Sequence, residues 1–292
     1  MSQISLESRL SKSRIVQDWV FRFAVTISIL LALFFIVFVV ANLYFQGRSA
    51  LNLDLIRNFP SARPSQAGIQ SAIFGSIWVV GIAAIITVPI GILSAIYLEE
   101  FVNPLNRFAR LIDLNIRNLA GVPAVVFGMI GLAFIARGFL SWGFTVKTAA
   151  LVLAMMILPV VIIVSRESIR AVPPSIRQGA LALGATPWQT VWRTVLPSAL
   201  PGIATGTILS ISRAMGESAP LLLLGALAFV TFNPEGLDSD YTILPLIIFR
   251  YASDAKEEFH AIAAAASLVL IAILFLMNLT AIWIRDRSQR KA

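Results

Sequence analysis

Cysteine is absent from this 292-residue chain, histidine occurs once, and charged residues make up only 13% of it. Without cysteine there can be no disulfide, no thiolate chemistry and no cysteine-ligated metal. A single histidine, His260, and sparse carboxylates leave neither a metal site nor a Ser-His-Asp arrangement within reach. His260 reads instead as an interfacial residue at the mouth of an apolar segment. No Gly-x-x-x-x-Gly-Lys-Ser/Thr string occurs, so no phosphate-cradling nucleotide loop is expected. Together these absences argue against an enzyme.

What is abundant is apolar: 58% of the residues are hydrophobic and the mean hydropathy is +0.85. Soluble domains carry about a quarter charged residues, so lipid rather than water is the main solvent here. The net charge of +8 is scattered between apolar runs instead of gathered in one patch. That pattern fits membrane orientation and not nucleic acid.

Six apolar segments are long enough to cross a bilayer, which takes about 20 residues. The first runs from Trp19 to Ala41, and it exceeds the roughly 7–15 residues of a cleavable signal core, so a signal anchor is expected. The others are read at 69–98, 118–136, 148–165, 201–230 and 261–284. With both termini inside, the inner segments hold 15 of the 23 basic residues and the outer segments 7, Arg213 lying within the membrane. The positive-inside rule therefore gives an all-α integral membrane protein with N-in/C-in topology. The chain divides on this reading into a tail, first span and outer loop at 1–68, a core at 69–284, and a basic tail at 285–292.

The inner loop at 166–200 is the most informative stretch. After Pro173-Pro174, residues Ile176 to Leu183 form a short helix, which Gly184 ends because it tolerates the left-handed backbone that follows a helix. Thr186 then caps a second helix, with Pro187 at its first position and Gln189 completing a capping box. That helix is expected to stop before Pro197. The pair would lie outside the membrane with Ile176, Leu181, Leu183, Trp188, Val191 and Trp192 showing apolar surface. Such a surface takes a partner or packs on the ends of the spans.

The spacing Gln178-Gly179-Ala180-x3-Gly184-x9-Thr194-x-Leu196-Pro197 resembles the EAA loop of ABC importer permeases, written E-A-A-x3-G-x9-I-x-L-P. Gln178, Gly179 and Thr194 are departures, and the rest of the pattern is kept. The resemblance implies that the loop engages a separate ATPase. Three further strings resemble PstA-type phosphate permeases: Asn118-Leu119-Ala120-Gly121-Val122-Pro123-Ala124-Val125-Val126-Phe127-Gly128, Ala182 to Thr190, and Arg213-Ala214-Met215-Gly216-Glu217-Ser218-Ala219-Pro220-Leu221-Leu222. Ala95-Ile96-Tyr97-Leu98-Glu99-Glu100 adds to them, so the likeness covers roughly 69–284. It implies a MetI-like fold, a heterodimer with a PstC-type permease, a PstB-type ATPase dimer below and a periplasmic PstS-type phosphate-binding protein above. It implies no cofactor in this chain, ATP and Mg being bound by the partner ATPase. The bacterial inner membrane is the expected location.

Arg213 and Glu217 stand four residues apart, so a continuous helix would place them on one face near mid-membrane as a buried ion pair. Charges at that depth normally face a bundle interior and pair. Gly216 and Pro220 weaken the helix there. A loosened helix beside a cation offers backbone N–H groups to an anion. On this reading Arg213 contacts phosphate in transit, Glu217 holds it and Ser218 assists. A structural clasp to a partner permease is the alternative. PstA-type sequences often carry an arginine four residues beyond the Leu-Pro of the fourth span, where this chain has Ile163 after Leu158-Pro159. Arg166 would substitute if that helix continues. Gly202-x3-Gly206 with Ser210, and Gly121, Gly128 and Gly131, suit close helix packing, while Pro89, Pro123 and Pro159 are expected to kink their spans. Other oxyanions (sulfate, molybdate, phosphonate) remain as cargo, and an ion-coupled secondary transporter or a membrane scaffold are the readings from other classes.

Overall fold

In hydrocarbon a backbone satisfies its N–H and C=O groups most simply along its own axis, and the apolar runs accordingly become helices. The computed structural model describes residues 12–103, 106–225 and 229–289. The N-terminal residues 1–11 and the last three of the basic tail lie outside the described residues. In chain order the helices are α1 (Lys12–Gly47), α2 (Leu53–Arg57), α3 (Gln70–Ile96), α4 (Arg107–Ala120), α5 (Ala124–Ile130), α6 (Val146–Arg170), α7 (Pro174–Ala182), α8 (Pro187–Thr190), α9 (Leu196–Met215), α10 (Ala219–Leu222), α11 (Leu244–Ala252) and α12 (Glu257–Gln289). Three wider π-helical turns, Tyr97–Phe101, Gly131–Ala136 and Val191–Val195, follow α3, α5 and α8.

Among the described residues five helices are long and apolar enough to cross a membrane, and the bent pair of α4 with Ala124–Ala136 passes the same test when taken as one span, which gives six. Spans α3, α6, α9 and α12 form the bundle. Its main core joins Val79 and Ala83 of α3 to Ala149, Leu153 and Val161 of α6, with Phe127 of α5 and Met215 of α9. A second cluster on the outer side packs Leu55, Ile69, Tyr251 and Phe259, and a third on the inner side packs Ile96, Ile169, Val191, Val195 and Ile203. By contrast, α1 buries none of its most apolar stretch in this chain and meets the bundle where Gly47 lies against the backbone of Ala264 and Ala265.

Lipid is as apolar as leucine, so close approach and polar ties hold the spans more than apolar burial does. The glycines supply that approach. A Cβ on Gly91 would lie 2.7 Å from Val161 Cγ1, and one on Gly202 would lie 2.8 Å from Ser168 Oγ, while Gly206 abuts Val164. Gly128 faces the Pro220 backbone and Gly131 faces Val152; Gly121 makes no such approach and caps the end of α4 instead. Thr87 Oγ1 donates to Ala154 O (3.4 Å) and Ser71 Oγ donates to Val230 O (2.7 Å) across the bundle.

Two expected spans are redrawn. The third is not a single helix at 118–136: α4 and Ala124–Ala136 meet at 101° through Gly121-Val122-Pro123. Pro123, which disfavours a helical conformation for the residue before it, accounts for the break. The fifth span starts earlier and ends sooner than 201–230. Helix runs without interruption from Pro187 to Met215, and residues 226–228 of the expected span lie outside the described residues.

Candidate functional site

The inner loop is built by local chemistry. α6 continues to Arg170, past the point at which the loop was expected to begin, and Pro173-Pro174 starts α7. Gly184 adopts φ +85°, and the Gly184 and Ala185 N–H groups donate back to Leu181 O and Ala180 O (3.0 and 3.1 Å). This is the glycine-terminated helix end anticipated above. The capping box is complete: Thr186 Oγ1 accepts from Gln189 N (3.3 Å), and Thr186 N donates to Gln189 Oε1 (3.0 Å).

The second helix of the loop does not stop at Pro197. A proline ring clashes with the carbonyl four residues back and contributes no N–H. The wide turn Val191–Val195 absorbs this, since Leu196 N reaches Val191 O, five residues back. Docking helix and fifth span are therefore one rod. Val191 is buried and Ile176 packs inward on the inner cluster, which corrects their assignment to the exposed surface. Leu181, Leu183, Trp188 and Trp192 stay exposed, with Leu183 at 91%. Trp188 packs on Trp192 and on Phe101 at the end of the second span, with centroids 5.3 and 5.9 Å apart. Gln178, Gly179, Gly184, Thr186 and Pro197 are exposed on this loop, and Ala180 and Leu196 half-buried.

At the other end of the rod, α9 stops at Met215 and Gly216 caps it. The Arg213 Nε to Glu217 Oε1 distance is 3.7 Å, an ion pair without a hydrogen bond. It is not buried as expected: the Arg213 side chain is 79% exposed in this chain and that of Glu217 23%. Because the helix ends between them, Glu217 hangs on the turn that follows. Both line a cleft of about 80 Å³ with Ser210, Leu119, Ala120, Met156 and Val160. Ser218 is absent from that lining and begins α10, its carbonyl accepting from Leu222 N (2.9 Å). Arg213 lies about 12 residues, or ~18 Å, above Pro201 along the helix. A guanidinium so exposed at that depth requires a partner subunit or a water-filled path.

Arg166 does not join this cleft. It pairs with Glu99 (3.3 Å) and Asp113, and Glu99 also takes Arg170 through two hydrogen bonds of 2.9 Å. The α6 helix does continue, but its arginines are engaged on the inner side. This ion cluster, with Arg177 on Glu100 (2.7 Å), went unanticipated, although Glu99-Glu100 end one span and Arg166 and Arg170 end its neighbour.

A family model described as the inner membrane component of binding-protein-dependent transport systems matches residues 87–292. The chain belongs to that family. The permease is 32% identical over 262 residues to the probable ABC transporter permease protein YqgI of Bacillus subtilis, covering 84% of this chain and 87% of that protein. It is 32% identical over 226 residues to the phosphate transport system permease protein PstA 1 of Mycobacterium tuberculosis, covering 77% and 72%. Its identity to PstA of Haemophilus influenzae is 28% over 267 residues, 90% and 92% of the two chains. Among solved structures, a bacterial importer of the acidic polysaccharide alginate superposes with TM-score 0.65 at 16% identity, covering 94% and 98%. The methionine transporter MetNI follows with TM-score 0.59 at 15% identity, covering 75% and 95%. At such identities the likeness concerns the fold alone, and that fold is MetI-like, as expected. The permease is thus a multi-pass inner-membrane subunit of an ABC importer, which works with a partner permease, an ATPase and a periplasmic binding protein.

Proposed function

We propose that this permease imports inorganic phosphate, forming the translocation path with a PstC-type permease. A PstS-type binding protein delivers the anion, and a PstB-type ATPase dimer that holds ATP and Mg docks on loop 178–197. The observation that carries the reading is the exposed Arg213 beside the end of α9, within a cleft otherwise lined mainly by apolar side chains. A cation there lowers the barrier for an anion, and Glu217 at 3.7 Å limits how tightly the anion is held. The PstA relatives favour phosphate among the oxyanions.

Replacing Arg213 with Gln is expected to abolish phosphate uptake while the permease still assembles with its ATPase. Retained uptake overturns the pathway role. Because a guanidinium recognises charge more than identity, sulfate, molybdate and phosphonate are the competing cargoes. Uptake of radiolabelled phosphate that sulfate or molybdate fails to compete decides the cargo.

A further inference from the structure

The helix α7, which opens the docking loop, buries none of its own residues. Apolar packing contributes only Ile176, which rests half-buried on the inner cluster. Arg177, its next residue, is bound on several sides. Its Nη2 and Nε donate to Glu100 Oε1 (2.7 and 3.1 Å), Nη1 donates to Val172 O (2.6 Å), and Nη2 also donates to Ile169 O (2.8 Å). Both side chains are largely covered, at 23% and 11% exposure.

Those partners belong to two other spans. Glu100 sits on the π-turn that ends α3, and Ile169 and Val172 are at the end of α6, where the last carbonyls and the negative end of the helix dipole favour a cation. One planar guanidinium therefore joins α3, α6 and α7, a task that its fork suits and a lysine ammonium does not. Glu99, the neighbour of Glu100, ties the same turn to Arg166 and Arg170 of α6. Higher up, α6 carries Met156 and Val160 into the cleft of Arg213.

We propose that the Arg177–Glu100 pair is the brace through which displacement of α7 reaches the spans, making both positioning residues for ATP-driven opening of the cleft. The inference rests on the docking reading of the loop. It assigns the brace to transmission and leaves attachment of the ATPase to the exposed Trp188, Leu181 and Leu183.

The test uses the assembled complex of permease pair and ATPase in lipid nanodiscs. The chain lacks cysteine, so Val160→Cys gives a single thiol on the cleft, and its labelling rate is compared with and without ATP. Glu100→Gln and Arg177→Glu are each expected to keep the ATPase bound and hydrolysing. They are expected to reduce the ATP-dependent change in labelling about tenfold, in the range found for residues that couple distant sites. The conservative Glu100→Asp, which keeps a carboxylate facing Arg177, is expected to restore most of it. Should Arg177→Glu fail to accumulate, the near-isosteric Glu100→Gln carries the test alone. An undiminished ATP response in Glu100→Gln, or a Glu100→Asp no better than Glu100→Gln, overturns the brace. So does loss of the ATPase from Glu100→Gln, which would make the pair part of the attachment. Docking itself is judged apart, by whether the unsubstituted chain retains the ATPase at all.

Discussion

At the scale of single residues, Gly184 and Thr186 do separable work. A side chain at φ +85° is strained whatever the space around it, and the space around Gly184 is open. Gly184→Val is therefore expected to cost the loop about 1–2 kcal/mol through backbone strain alone. Thr186→Ala removes the acceptor for Gln189 N and is expected to cost about 1 kcal/mol. Neither touches the exposed tryptophans, so both should weaken co-purification of the ATPase without lowering the amount of permease in the membrane. Trp188→Ala removes contact surface instead and should reduce co-purification further. An unchanged ATPase yield in all three would separate the loop from docking. These residues were legible because caps and glycine turns are decided within four or five positions of sequence. Arg213 was legible as a charge out of place, but its exposure was not, since that depends on what surrounds this chain in the assembled importer.

At the scale of elements, α5 and α10 meet backbone to backbone near the cleft. A Cβ on Gly128 would stand 2.6 Å from Pro220 O and 2.7 Å from Pro220 Cα, and backbone does not yield as a flexible side chain does. Gly128→Ala is expected to destabilise the purified permease by about 1–3 kcal/mol, seen as a lower melting temperature by intrinsic tryptophan fluorescence. Equal melting temperatures would mean that the two segments part without cost. Sequence periodicity located every span but misjudged two, and proline explains both. Pro123 breaks the third span, as its chemistry predicts. Pro197 predicts a stop that the wide turn at Val191–Val195 removes, and a π-turn has no strong local signature. The ion cluster was missed for a different reason: Glu99 lies 67 and 71 residues from Arg166 and Arg170, so only the packing of α3 on α6 brings them together.

At the scale of the molecule, the six crossings and the distribution of basic residues give one topology. Since the chain has no cysteine of its own, single cysteines report it cleanly. In intact cells a membrane-impermeant thiol reagent should label Ala62→Cys and spare Ser175→Cys and Ser288→Cys. The reverse pattern would invert the protein. The exposed apolar length of α1 also belongs to this scale, because a helix that buries so little of itself is completed by lipid or by the other subunits.

The unbroken helix from Pro187 to Met215 has a mechanical reading. From Trp188 to Arg213 it spans about 38 Å at 1.5 Å per residue. Its midpoint falls near Pro201 and Gly202, where α9 lies hard against Ser168 and Val164 of α6. A rod clamped at its middle is a lever, and its ends swing in opposite senses. A tilt of about 5° about that fulcrum carries each end about 1–2 Å over such a length. Bulk added at Gly202 would shift the fulcrum, and with it the ratio between the swings of the two ends.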